Sequence, residues 1–231
     1  MIHQFILAAP KPGLTTQEFQ DYWLHVHAVK FATKIPQVRR YLLDTRIPFD
    51  GDLGTPALPH QGIAEIWLAD EAEQLASLQT DEFVHGARAD EPNWAAFWLS
   101  IVVDTTAHEI VPGTVPAAPE PSWVKMTTLL KRRPGTTVAQ YRESSLKSYA
   151  PAVTGLPGLR RYLHCHTRDG AYAFGEAAFD GVEQWWFDDE AALHAALGSA
   201  AYTDHVQPAR ADLADLSHLH SLTAREHWLM R

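Results

Sequence analysis

TTQEFQDYWLHVHAVKFATKIPQVRRYL, residues 15–42, holds a helix, a turn and the start of a strand. Thr15 and Glu18 stand in the spacing at which two side chains satisfy each other's free backbone N–H groups, so a helix is predicted to begin there. Phe19, Tyr22, Trp23, Val26 and Val29 recur at the spacing of one apolar stripe. Ile35-Pro36 ends the helix, because the ring disfavours the α region for the residue before it. Arg39, Arg40, Tyr41 and Leu42 then open a strand. His27 follows Trp23 by four residues and neighbours it on the helix surface. At about 100° per residue it falls about 80° from Phe19, at the margin of the stripe, where one side chain reaches both core and pocket. His25 lies on another side, facing solvent.

A shorter form of the stretch returns. Residues 35–42, IPQVRRYL, are echoed by 156–163, LPGLRRYL. Lys11-Pro12-Gly13 matches Arg133-Pro134-Gly135, Phe19 matches Tyr141, and Gly62 to Ala72 match Gly181 to Ala191. Glu109 is paired with Glu226, and Asp90 with Asp212. A period this long means two whole domains rather than solenoid units. Each half reads strand, helix, strand, strand, helix, strand, the ferredoxin-like order. Strands are predicted at 2–9, 37–46, 62–68, 99–111, 123–131, 159–167, 181–187 and 220–229. Helices are predicted at 16–33, 70–78, 82–94, 138–149 and 189–198, with Asp70 and Asp188 as N-caps and Pro151 kinking or ending the helix it meets. Residues 112–121 carry four prolines, an extended spacer. The domains expected are 1–111, the linker 112–121, and 122–231. The long Pro-, Gly- and Asp-rich loop 47–61 is of a length that is usually functional or mobile.

The composition is globular, 46% hydrophobic and 20% charged. A net charge of −9 and the lack of a basic stripe argue against nucleic acid and anionic membrane as partners. The single cysteine, Cys165, rules out a disulfide within the chain and reads as a small buried residue. No apolar run approaches a membrane span and residues 1–13 read as a first strand, not a leader, so a cytoplasmic protein is expected.

Alternation along 62–68 puts Ile63, Glu65 and Trp67 on one face and Ala64, Ile66 and Leu68 on the other. Glu65 therefore projects among large apolar side chains and needs a partner. His27, on the covering helix, is the nearest by topology, and a His–carboxylate pair suits general acid–base work; a pair that only ties helix to sheet is the alternative. Trp23, Trp67, Trp94 and Trp98 are either an aromatic wall or core, and Tyr41 either packs or donates to a ligand. His164 with His166, and His218 with His220, share strand faces, but no third ligand accompanies either pair in a motif, so no metal is expected. No GxGxxG, Walker or GxSxG pattern occurs, and no cofactor is expected.

Lys11-Pro12-Gly13-Leu14-Thr15, Tyr22-Trp23, His27-Ala28, Ile35-Pro36, Arg40-Tyr41, Gly62 to Trp67, Ala89 to Trp94 and Glu109 together resemble the EthD-like domain, across nearly all of the first half. The second half resembles it more weakly, with Ser145 and Tyr149 where the first has Trp23 and His27. The resemblance implies an α+β fold, a dimeric α/β barrel with two antiparallel sheets face to face, here within one chain as a pseudo-dimer, with further homodimerisation open. It implies a ligand cavity between sheet and helices near His27. The wider superfamily spans cofactor-independent monooxygenases, polyketide cyclases, lactone isomerases and haem enzymes. The expectation is a cofactor-independent enzyme on a small aromatic or polyketide-like molecule. His27 and Glu65 would be catalytic, and Trp23, Tyr41, Trp67 and Asp90 would contact substrate. A carrier or a haem protein is the alternative. Loss of His27 (to Tyr149), Glu65 (to Gln184) and Trp23 (to Ser145) in the second half points to one functional half.

Overall fold

The computed structural model describes residues 1–113, 123–173 and 175–231; most of the expected linker lies outside them. The first half runs β1 (Ile2–Ala8), α1 (Thr16–Tyr22), α2 (Ala28–Lys30), β2 (Arg40–Arg46), β3 (Gly62–Leu68), α3 (Glu71–Ser77), α4 (Arg88–Trp94) and β4 (Ile101–Val111). The second repeats it as β5 (Val124–Arg132), α5 (Val138–Ser144), α6 (Ala150–Val153), β6 (Arg161–Thr167), β7 (Gly181–Phe187), α7 (Glu190–Leu197), α8 (Gln207–Leu213) and β8 (Ala214–Met230). Thr15–Glu18 and Thr137–Gln140 each form the reciprocal cap at the start of α1 and α5. Gly13 and Gly135 precede them with φ of 98° and 84°, a left-handed turn that a side chain would strain.

All strand pairs are antiparallel, and the eight strands close a barrel in the order β1-β3-β2-β8-β5-β7-β6-β4. The two half-sheets therefore do more than face each other: they join edge to edge at two seams, β2 with β8 and β4 with β6. Closure leaves no free strand edge. It also explains why β8 runs beyond the expected 220–229, since it spans one seam along β2 and the neighbouring strand β5. The strand register is the same at matched positions of the two halves. His3 faces Trp67 as Lys125 faces Trp186, Phe5 faces Glu65 as Thr127 faces Gln184, and Arg40 faces Trp67 as Arg161 faces Trp186. It also corrects one match. Glu226 sits opposite Asp44, and Ala107 opposite Cys165, so Glu226 is the counterpart of Ala107 and not of Glu109.

Three apolar clusters follow. One lies under the first half's helices around Phe19, Trp23, Tyr41 and Trp94. A second lies under the second half's around Tyr141, Tyr162, Trp185 and Tyr202. The third, with Phe5, Leu7, Leu163 and Trp186, fills the barrel. Phe179 belongs to this third cluster, and Leu58, from loop 47–61, packs against it. The loop is pinned: Arg46 bonds Asp52 and the carbonyls of Leu58 and His60, and Asp52 accepts from Thr223. Cys165 is wholly buried there, and burial pushes its thiol well above the usual range.

Two helix boundaries depart from expectation. The α7 cap is Asp189, its side chain accepting from the Ala192 N–H, while the neighbouring Asp188 pairs with Arg160. Pro151, expected to kink or end its helix, does not end it. A wide π turn, Ser145–Tyr149, precedes it and takes the Ala150 N–H, so the proline falls in the first turn of α6, where a missing N–H is tolerated. No helix among the described residues is long and apolar enough to cross a membrane.

Candidate active site

The cleft begins with the same irregularity in α1. Trp23–His27 is a π turn, closed by the Ala28 N–H bonding the Trp23 carbonyl. Such a turn absorbs one extra residue and sets the following side chains back by about 100°. His27 and Ala28 are thereby carried onto the buried face, and Val29, expected on the stripe, is turned out to 46% exposure. His27 is only 6% exposed.

Asp90, in α4, lies 2.9 Å from Nδ1 of His27. Tyr22 and Asn93 donate to its other oxygen at 2.8 and 3.0 Å. Burial works against a charge on Asp90, but the bonds from Asn93, His27 and Tyr22 outweigh it and lower its pKa. Burial lowers that of His27, against Asp90, so the imidazole is neutral at pH 7. A neutral ring beside a carboxylate carries its proton on Nδ1, facing Asp90, and leaves the Nε2 lone pair unprotonated. The Trp94 indole N–H, 3.2 Å from the same Nδ1, then packs against the ring without donating to it.

His27 lines a cavity of about 80 Å³ with Trp23, Tyr41 and Trp94. The Trp23 indole donates to the Tyr41 hydroxyl at 3.2 Å, and burial pushes the Tyr41 pKa well up. A second cavity of about 350 Å³ shares Ile6, Ile35, Ile66, Phe83, Glu91 and Ser100 with the first. The two are chambers of one cleft between the outer face of the first half-sheet and its helices. Burial raises the pKa of Glu91, against its partner Arg88.

Glu65 is not the partner of His27. The alternation along β3 is as expected, but the face carrying Glu65 and Trp67 is the barrel interior. Glu65 accepts there from His3 at 2.6 Å, Lys125 at 2.5 Å and Gln184 at 2.6 Å. Trp67 stacks on His3 at 4.3 Å. The six singled-out residues thus divide across β3: Trp23, His27 and Tyr41 line the cleft with Asp90 behind His27, while Glu65 and Trp67 lie inside the barrel. Trp94 belongs to the cleft, and Trp98 is 62% exposed. Asp90, expected to contact substrate, is instead the hydrogen-bond partner of His27. His3 and Lys125 carry no motif that marks them in the sequence; each is a polar residue on the buried face of a strand, His3 in β1 and Lys125 in β5.

In the second half, Tyr149 donates to Glu183 at 2.9 Å and accepts from Arg210, which also bonds Glu183 and Tyr202. Glu183 and Trp185 stand where the first half has Ala64 and Ile66. Larger, mutually bonded side chains occupy the ground that the first half leaves to a cavity. Asp212 is not the counterpart of Asp90: counting back from the helix-ending Ala95 and Ala214, that place falls to Ala209. Ser145 bonds His166, which contacts His108 at 3.0 Å. Among the described residues, no group of three or more His, Cys, Asp or Glu is placed to hold a metal ion.

An antiparallel eight-stranded barrel with helices over its outer face, and a cleft beneath those helices, defines the α+β barrel class. Within it, the sequence model of the EthD domain matches residues 11–97 and again 133–217, and the chain belongs to the EthD family, in agreement with a tandem duplication. No curated protein matches the chain. Among solved structures, an anthrone oxidase-like protein is similar with a TM-score of 0.65 at 12% identity, over 98% of this chain and 92% of that one. A candidate monooxygenase from Fusobacterium nucleatum is similar at 0.57 and 10% identity, over 99% and 92% of the two chains. One from Lactobacillus acidophilus NCFM is similar at 0.54 and 12%, over 99% and 96%. At such identities the likeness is one of fold.

Proposed function

We propose that the cleft of the first half is the active site of a monooxygenase- or cyclase-like enzyme acting on a small aromatic or polyketide-like molecule. The observation that carries this reading is the His27–Asp90 pair in an apolar cavity, a neutral base whose far nitrogen is oriented by a carboxylate. Nε2 of His27 takes a proton from an acidic C–H or O–H of the substrate, the electron pair stays on the substrate as an enolate, and Asp90 stabilises the imidazolium. Such an enolate is the species that reacts with dioxygen in an oxygenation or with an internal carbonyl in a cyclisation. The inner chamber, about 80 Å³, takes only the reacting edge of a ligand, and the chamber of about 350 Å³ takes its body. The names of the similar structures, anthrone oxidase-like and monooxygenase, agree with this chemistry. The same reading takes residues 1–111 and 122–231 as two ferredoxin-like repeats, the second serving as structural partner.

The test uses anthrone, whose central CH₂ is acidic. Deuterium exchange at that carbon and oxidation under air are followed with the intact protein. The reading expects both to be catalysed, to be lost in His27→Ala and to be kept in Tyr149→Phe. Binding without exchange would make the protein a carrier, and loss in Tyr149→Phe alone would move the site to the second half.

A further inference from the structure

The barrel interior has chemistry of its own, independent of the cleft. A cavity of about 190 Å³ opens at one end of the barrel, lined by His3, Glu65, Trp67, Arg161, Trp186 and Trp228 among others. Cavities of about 150 Å³ accept benzene, so a single substituted ring fits. Three indoles supply flat apolar walls, and Trp67 stacks on Trp228 at 5.6 Å. Three buried polar atoms of this lining have no hydrogen-bond partner among the described residues: Nδ1 of His3, Nε of Arg161 and Nε1 of Trp228. His3 is 2% exposed, and its Nε2 lies 2.6 Å from Glu65. Glu65 is ionised: burial opposes its charge, but Lys125 and then His3 overcome that. Nε2 therefore carries the proton toward Glu65, and Nδ1 is a lone pair. Burial keeps the ring neutral, against Glu65. One acceptor and two donors, unpaired in an aromatic-walled cavity, ask for a ligand with one O–H and a further oxygen.

We propose that this end of the barrel is a second binding site, for a single-ring phenol carrying another oxygen, with its hydroxyl on Nδ1 of His3. Where the Arg161 and Trp228 bonds to the phenolate offset the burial that keeps the ring neutral in the empty cavity, the ligand's O–H bond breaks, its electron pair stays on oxygen, and the proton passes to Nδ1. Glu65 holds the resulting imidazolium, and Arg161 and Trp228 donate to the ligand's oxygens.

4-Nitrophenol is the probe, because its yellow phenolate band reports ionisation directly. At a pH where the free phenol is protonated, the wild-type protein and His27→Ala should raise the band on binding. His3→Gln, which keeps a donor for Glu65 but puts an amide oxygen that takes up no proton in place of the basic Nδ1, should abolish it. Leu163→Trp, filling the cavity, should abolish binding. With the unmutated protein, NOEs from the nitrophenol ring should reach the indoles of Trp186 and Trp228. NOEs confined to Trp23 and Trp94, loss of the band in His27→Ala alone, or no binding to the wild type at millimolar probe would each overturn the proposal.

Discussion

A histidine works as a base when it is neutral, held in one orientation and able to shed the proton it takes. His27 meets the first two conditions through burial and Asp90. Once a turnover is in hand, His27→Ala is expected to lower kcat about 10²- to 10⁴-fold, the usual contribution of a positioned base. The pH profile distinguishes this from a packing defect. Because the His27 pKa is lowered, the unprotonated base persists below the ordinary histidine value of 6.5, and activity should fall only as pH drops further. Asp90 is what raises the pKa of His27 against burial. Asp90→Asn should therefore reduce kcat and also move the acid limb to lower pH; an unmoved limb would mean Asp90 does not act through His27. At this scale the sequence exposed the types of residue and not their partners. A carboxylate on a strand facing an apolar layer and one facing a barrel interior give the same alternation, so Glu65 could be placed on a face but not told which face.

Elements were legible wherever period and caps agree. Strand β3 matches its expected bounds, and the Thr15 and Thr137 caps form as the spacing requires. What a fixed period of 3.6 hides is the π turn, which recurs as Trp23–His27, Glu82–Ala87, Ser145–Tyr149 and Tyr202–Val206. Its presence in both helical segments of both halves makes it a property of the repeat; only in the first half does it deliver a histidine into a cavity. Strand β6 carries a second consequence, in His164. This side chain is wholly buried, and burial, then His166 and His108, pushes its pKa down to about 3. The unfolded chain, with an ordinary value of 6.5, takes up that proton first. Stability is therefore intact above pH 6.5 and is lost as pH falls from 6.5 toward 3, by roughly 4 to 5 kcal/mol over the whole range. His164→Gln keeps an acceptor for the Tyr162 hydroxyl without the ionisation. Urea unfolding from pH 7 to pH 4.5 should show a shallower decline in the variant than in the wild type; equal slopes would mean that His164 is not what titrates.

The whole molecule is held by a knot that no half could make alone. Lys125, from the second half, lies 2.8 Å from Asp44, 2.5 Å from Glu65 and 2.9 Å from Glu226, all buried inside the barrel. Removing one partner from such a group leaves uncompensated buried charge, so Lys125→Met should cost about 3 to 5 kcal/mol in urea unfolding at pH 7. Adding Glu65→Gln to it should restore part of the loss. The repeat and its period were visible in the sequence, but the knot was not, because its members come from four strands of both halves. Its asymmetry governs how the halves assemble. The register pairs His3 with Lys125, Glu65 with Gln184 and Asp44 with Cys165 as equivalents. Two copies of the first half could close the same seams, β2 of one on β4 of the other, but the interior would then hold Asp44 and Glu65 twice over and no lysine. Burying these carboxyl groups with no lysine disfavours that barrel, since burial raises the pKa of Asp44 even against Lys125, whereas the mixed pair is balanced by Lys125 and by the Gln184 amide on Glu65. Fragments 1–113 and 123–231 made separately should therefore combine one to one on mixing. Fragment 1–113 alone should stay unpaired at neutral pH, and should form a homodimer when Asp44→Asn and Glu65→Gln remove the charge. Sedimentation of the three samples decides it: a stable homodimer of the unaltered first fragment at pH 7 would show that apolar closure of the seams outweighs the buried charge.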